Sequence, residues 1–481
     1  MAKEGSLTTD AILLTASKII GNILTLVSAM LLARIRTLEE NGIYFELLLV
    51  INLATVIFML GLPNSINYFL ARAETKEDKN RFLSLYYTFS TILAIALGIT
   101  LVVLTPIWIR YFSDPNLAQF IFFLLIFPWA KIIIASAGNV LIVLGKSKTL
   151  IKYSISNSLT VLLIIFYVWI TNSSFMTYMI LYVIVEGLYA LAVYMLASKY
   201  TGRLHWNIDK NLIKSVLVFS IPLGLASVVG TMNIEIDKLM IGHLLTTEDL
   251  AIYSVASKEL PLTIVASSLT AVLMPKMVRL FKQQQNEEAV AIWRDVTTIS
   301  FAVMAFFGIG MAVFSTDAIT MLYSAKYAPG AAVFAIYSLE LLLRCTYFGI
   351  VLNTTGKTKL VFYSAVGTLC LNTIMNIAFY KIMGVVGPAL ATLLSGLIMG
   401  TLQLVFSSRL INVKFSEIFP WKNMALTVLV NLALGVAFHF VHKILLPGNI
   451  QAVVLAVVWA VVYCLIMMRP AKYYWKKLKS V

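Results

Sequence analysis

Four basic side chains stand where a chain seldom places charge. Lys18, Lys131, Lys258 and Arg344 each lie inside an apolar run. A charge at the centre of a bilayer costs about 2.5–3.5 kcal/mol or more, so such residues face a cavity or a partner. Their neighbours extend the pattern. Thr15, Lys18, Asn22 and Thr25 follow helical spacing and share one stripe, while Asn52 and Thr55 form a shorter one. Tyr182, Glu186 and Tyr189 make a third, and Tyr337, Glu340, Arg344 and Tyr347 a fourth. This mixture suits a sugar that carries phosphate: rings stack on aromatics, hydroxyls bond to amides, and ammonium or guanidinium groups hold phosphate oxygens. Internal neutralisation is the competing account, since Glu340 precedes Arg344 by one helical turn and Glu259 adjoins Lys258. Asp237, with Glu235 nearby, reads as solvated or gate-forming at the end of its helix, and Glu259 as a second gate or coupling residue.

Other chemistries are excluded by spacing. The GKS and GKT triplets at 145–147 and 356–358 lack the glycine that a phosphate-binding loop needs five residues earlier, where Val140 and Val351 stand. No HExxH or GxSxG string occurs, and His205, His243, His439 and His442 form no ligand set, so no metal is expected. Cys345, Cys370 and Cys464 lie in apolar runs without paired spacing and read as packing residues.

The elements that hold these residues are set by composition. Of 481 residues, 60% are hydrophobic and 12% charged, whereas a soluble domain carries about 25% charged residues. Apolar runs near the roughly 20 residues that span a bilayer recur along the chain. They predict an all-α polytopic membrane protein of about fourteen helices, from 11–33 to 450–468, with the seventh over 212–233, the eighth over 250–273 and the tenth over 331–352. The opening MAKEGSLTTD has no basic n-region, so the first helix is read as uncleaved. The net charge of +15 does not point to nucleic acid, because the basic residues cluster between apolar runs at every second loop. By the positive-inside rule both termini are placed in the cytoplasm.

An internal repeat adds a division into halves. LEENGIY at 38–44 matches TEDLAIY at 247–253, and GKSK at 145–148 matches GKTK at 356–359, at a shift of about 210 residues. Six helices separate the copies, so both halves keep the same orientation and the substrate path is expected at their interface. The expected domains are a six-helix bundle over 1–200, a cytoplasmic linker over 201–211, a second six-helix bundle over 212–410, and helices 13 and 14 with a basic tail over 411–481. Gly396 and Gly400 form a small-xxx-small pair, the mark of close helix packing.

The segment KLMIGHLLTTEDLAIYSVASKEL, with Ile252, Tyr253, Ser254 and Lys258, followed by a helix closing at Leu273, Met274, Pro275 and Lys276, resembles the Wzx-type polysaccharide flippases. These are relatives of the lipid II flippase MurJ and of the MATE drug exporters in the MOP superfamily. The resemblance covers essentially the whole chain. It implies two parallel six-helix bundles with two additional C-terminal helices, and alternating access in a bacterial or archaeal cytoplasmic membrane on an undecaprenyl-pyrophosphate-linked oligosaccharide. The implied substrate cavity is cationic, with Lys18 and Lys258 at the helix 1 and helix 8 positions where such flippases place cavity cations; the polar stripes read above add Asn22, Asn52, Lys131, Glu186, Glu340 and Arg344 as candidates. It implies no cofactor and no nucleic acid, leaves coupling to H+, Na+ or membrane potential open, and suggests a monomer among membrane lipids and polysaccharide-assembly enzymes. A cation-coupled small-molecule exporter and a lipid II flippase are the alternatives. A membrane polymerase or ligase is disfavoured, because such an enzyme needs a sizeable external loop that this sequence lacks.

Overall fold

Among the described residues, fourteen helical segments are long and apolar enough to cross a membrane. In hydrocarbon every backbone N–H and C=O must be paired within the segment, which makes the helix the form that such runs adopt. The computed structural model describes residues 4–258, 261–444 and 448–479.

The chain divides into two compact units, Met1–Ala251 and Ile252–Val481. The first holds α1 (Glu4–Ile35), α2 (Leu38–Met59), α3 (Leu62–Ser65), α4 (Lys76–Val103), α5 (Thr105–Phe112), α6 (Ile121–Val143), α7 (Ser147–Ile170), α8 (Phe175–Thr201) and α9 (Lys210–Leu244). The division falls inside α10 (Thr247–Ala256). The second unit continues with α11 (Thr263–Lys282), α12 (Asn286–Val313), α13 (Ser315–Leu322), α14 (Ala331–Glu340), α15 (Ile350–Thr354), α16 (Thr358–Met383), α17 (Val386–Ile411), α18 (Phe415–Ile418), α19 (Trp421–Ile444) and α20 (Asn449–Lys479).

The repeat and the compact units divide the chain at different places. The sequence copies begin a second half at 212, yet α9 packs on α2, α3 and α5 and belongs to the first unit. Close approach is what ties it there. Gly61, at φ +75°, and Gly224 of α9 meet backbone to backbone, and a Cβ on either would run into the other chain segment. Element boundaries nonetheless recur at the offset seen in the sequence: α4, α5 and α6 are matched by α12, α13 and α14. The two GK turns are also alike. Gly145 and Gly356 have φ of +67° and +78°, and the following Lys146 and Lys357 amides donate to Leu141 and Leu352 carbonyls, each at 2.7 Å.

Helix starts are capped by residues of the expected type. Thr37 and Glu40 close a capping box on α2, with both bonds at 3.1 Å. Ser174 caps α8, and Asp209 caps α9 through the Asn211 and Leu212 amides.

The eighth and tenth crossing segments, expected to be continuous, are interrupted. The eighth does not run unbroken over 250–273: α10 ends at Ala256 and α11 begins at Thr263. Pro261 accounts for the stop, since its ring clashes with the carbonyl four residues earlier and it lacks an N–H. The tenth stops at Glu340, passes through a 3-10 turn at Leu343–Cys345 and an extended Thr346, and resumes at Ile350. No proline is involved there; the Trp293 indole, fully buried on α12, donates to Thr346 Oγ1 at 2.9 Å and pins the bend. On α17, Gly396 and Gly400 face the side chains of Leu343 and Phe348 in that bent stretch. The α20 helix packs on α12, where Trp459 and Tyr463 meet Phe306 and Tyr463 donates to the Ala302 carbonyl at 2.8 Å.

Candidate functional site

In the first unit three helices bring four polar side chains into one chain of contacts. Lys131 Nζ on α6 donates to Asn52 Oδ1 on α2. Asn52 Nδ2 in turn donates to Glu235 Oε1 on α9 at 3.2 Å, and Lys238 Nζ pairs with Glu235 Oε2 at 2.8 Å. Glu235 is 9% exposed. Glu235 thus pairs directly with Lys238 and reaches Lys131 only through Asn52, so the Lys131 ammonium keeps hydrogens able to receive an anion.

Lys18 and Asn22 lie elsewhere, on an exposed face of α1 together with Thr25, while Ser17 and Ser28 on other sides of that helix are buried. No described ion pair joins Lys18 to a carboxylate. Glu186 is buried on α8 and accepts from Asn157 Nδ2 at 3.0 Å. Its neighbours on that helix form an aromatic layer inside the first unit: Tyr182 stacks on Tyr178, Tyr44 meets both edge-on, and the Tyr189 hydroxyl bonds with Ser156 at 2.6 Å. The described hydrogen bonds therefore do not link Glu186 to the Lys131 chain.

In the second unit Lys258 lies just past the end of α10. Arg344 lies in the 3-10 turn beyond α14 and holds Glu340 Oε1 through two nitrogens, at 2.9 and 3.2 Å. Tyr253 and Tyr337 pair edge to face, with ring centroids 6.2 Å apart and hydroxyls 3.4 Å apart. Tyr347 departs from the expected stripe. The chain turns at Thr346, and the Tyr347 hydroxyl accepts from Asn353 instead.

Asp237 is not solvated: it is 1% exposed, and its Oδ1 accepts from the Lys238 amide at 2.8 Å. Glu235 is buried as well, in the network above. Glu259 lies outside the described residues. Sequence reasoning missed Lys238, which it had left beyond a seventh helix ending at 233; α9 runs on to Leu244 and carries Lys238 one turn after Glu235. It also passed over Glu46 and Asp114, two buried carboxylates of the first unit.

The polysaccharide biosynthesis protein family model matches residues 7–281, more than half of the chain. The chain belongs to that family. Among curated relatives, the family member is 24% identical over 202 residues to the capsular polysaccharide biosynthesis protein CapF of Staphylococcus aureus, a match that covers 40% of this chain and 51% of CapF. The chain thus spans about half the length of that relative. Among solved structures, the lipid II flippase MurJ in an inward closed conformation superposes with a TM-score of 0.76 at 18% identity, covering 96% of this chain and 99% of MurJ. An inward-facing MATE multidrug transporter gives 0.61 at 12% identity, over 84% and 98% of the respective chains. This polysaccharide biosynthesis protein is therefore an all-helical, multi-pass membrane protein with a MurJ- and MATE-like fold.

Proposed function

We propose that this polysaccharide biosynthesis protein carries an undecaprenyl-pyrophosphate-linked oligosaccharide from the cytoplasmic to the outer leaflet by alternating access, with both termini in the cytoplasm. The carrying observation is the Lys131, Asn52, Glu235 and Lys238 chain, whose two cations outnumber its one carboxylate within the crossing helices. An excess cation at membrane depth is costly unless an anion visits it, and a pyrophosphate offers acceptor oxygens that ammonium groups hold well. Lys18, on the exposed face of α1, adds a positive charge in the same unit.

The test is replacement of Lys18, Lys131 and Lys258 together by Gln in the native host. Surface polysaccharide should disappear while membrane-inserted protein stays at its normal level. Undiminished polymer would overturn the reading. Rescue of a strain lacking its lipid II flippase would instead make lipid II the cargo, and ethidium efflux from vesicles would mark a drug exporter.

A further inference from the structure

We propose that the connection between α8 and α9 is a membrane-surface anchor that binds anionic phospholipid headgroups. Helix α8 ends at Gly202, whose φ of +104° is open to glycine and strained for other residues. From there the chain passes through residues 202–209 without helix or turn and enters α9 at Lys210. This strap is fastened along the start of α4. Asn80 Nδ2 donates to the Gly202 and Arg203 carbonyls at 2.8 and 3.2 Å. The His205 amide donates to Ser84 Oγ and the Asn207 amide to Thr88 Oγ1, each at 3.2 Å. Two residues of extended chain advance about 6.6 Å and four helical residues about 6 Å, so alternate strap amides meet successive turns of α4.

That register decides what faces outward, because successive side chains of an extended chain alternate in direction. Asn207 turns in and donates to the Arg81 carbonyl at 3.3 Å, while Trp206 and Ile208 turn out and are 67% and 52% exposed. Two large apolar side chains left in water are unfavourable, and tryptophan is the residue type enriched where a membrane meets water. The level on α4 agrees. Arg81 is the last charged residue of that helix, and the run from Phe82 to Val103 carries no charge. Trp206 stands between the amides that bond to Ser84 and Thr88, within two turns of that border, which is the headgroup level of a crossing helix.

The charge around the strap selects the lipid. From 199 to 214 the sequence holds Lys199, Arg203, Lys210 and Lys214 against one acidic residue, Asp209. Asp209 is already engaged, capping α9 and pairing with Arg81 at 2.6 Å. All four basic residues are exposed. Basic side chains beside a bilayer are drawn to anionic headgroups within about a Debye length, and Lys210 and Lys214, one turn apart, share a face of α9. A soluble anion would use these cations but not the outward Trp206 and Ile208. A lipid surface uses both. The anchor thereby fixes the point where α9, the helix that carries Glu235 and Lys238, enters the membrane.

The test compares wild type with Trp206→Phe, both as the full chain, in nanodiscs of phosphatidylcholine and in nanodiscs with a third of the lipid replaced by phosphatidylglycerol. The difference in tryptophan emission isolates Trp206. It should be quenched several-fold more by lipids carrying a nitroxide at the headgroup than by aqueous acrylamide. Hydrogen exchange over 203–208 should be several-fold slower with phosphatidylglycerol, and that gain should vanish at high salt and in the triple variant Arg203→Gln, Lys210→Gln, Lys214→Gln. Should the triple variant fail to fold, the salt titration of wild type carries the charge arm by itself. Stronger quenching by acrylamide means a water-facing strap and overturns the proposal. Protection from both quenchers means a protein cover such as a second copy of this chain and overturns it too, as does exchange that is equal in the two lipids. None of these readouts uses a cargo, so failure here leaves the flippase reading standing.

Discussion

Lys131 of the first unit is braced through contacts that cross three helices, whereas Lys258 and Arg344 of the second stand beside breaks in their own. Lys131, Asn52, Glu235 and Lys238 lock α2, α6 and α9 to one another through long-range contacts, 79 and 183 residues apart for the first two bonds. Arg344 bonds to Glu340 one turn back on the same strand of chain and is 44% exposed at its side chain. A contact spread over three helices fixes a position in space. A local pair on an interrupted segment fixes little beyond its own turn, and its cation can be re-aimed by a small backbone movement. The difference separates rigid posts from adaptable ones.

Removing a carboxylate is the sharpest way to break that contrast. Glu235→Ala strands Lys238 and Asn52 in a buried setting and should cost about 3–5 kcal/mol, the usual penalty for halving a buried ion pair. Glu340→Ala should cost about 1 kcal/mol or less, because the pair is local to one turn and the Arg344 side chain is 44% exposed. Thermal unfolding of the two variants in the same detergent would measure the gap. Equal losses would mean that the pair beyond α14 is as structural as the network in the first unit.

Glycines extend the comparison at a smaller scale. Gly224→Ala drives a methyl group into the Leu60 and Gly61 backbone, which cannot give way, and should destabilise by about 1–3 kcal/mol. A Cβ on Gly396 meets Leu343 Cδ1 at an ordinary 3.4 Å, so Gly396→Ala should be close to neutral or gain slightly from helix propensity. The same unfolding measurement checks both. Thr346→Ala falls between, at about 0.5–1.5 kcal/mol for the bond that Trp293 loses.

The fourteen crossing segments could be read from the sequence because apolar run length is a property of composition, available without tertiary contacts. The Glu340 and Arg344 pair was legible for a similar reason, since helical spacing alone puts those side chains together. Lys131 was visible as an anomaly, but its partners were not: nothing local links it to Asn52 or, beyond that, to Glu235. Lys238 was lost to a boundary error, because a polar cluster of Glu235, Asp237 and Lys238 reads as a helix end while burial against α2 lets the helix continue. Pro261 was a usable signal for the break after α10 and was overlooked. The break after α14 carried no such signal, as its cause is Trp293, distant in sequence, reaching Thr346.

The smallest effect concerns the segment that enters α9, the helix that supplies Glu235 and Lys238. Asp209 caps that helix through the Asn211 and Leu212 amides and meets Arg81 of α4 at 2.6 Å. The Leu212 amide first, and then the Arg81 guanidinium, hold its carboxyl below the usual Asp range. A carboxylate favoured in the folded form contributes stability that is complete above its ordinary range and is lost as pH falls through the lowered folded value. Amide exchange at Asn211 and Leu212 should therefore speed up, relative to the intrinsic rate, on acidification well below pH ~4, and Asp209→Ala should show that faster exchange at every pH. The bracing of Glu235 deeper in α9 should not follow, because its bonds to Asn52 and Lys238 lie more than six turns away along the helix. A loss of protection that spread from Asn211 to Glu235 on acidification would show the first unit to be less rigid than its cross-helix contacts require, and would erase the contrast with the interrupted helices of the second.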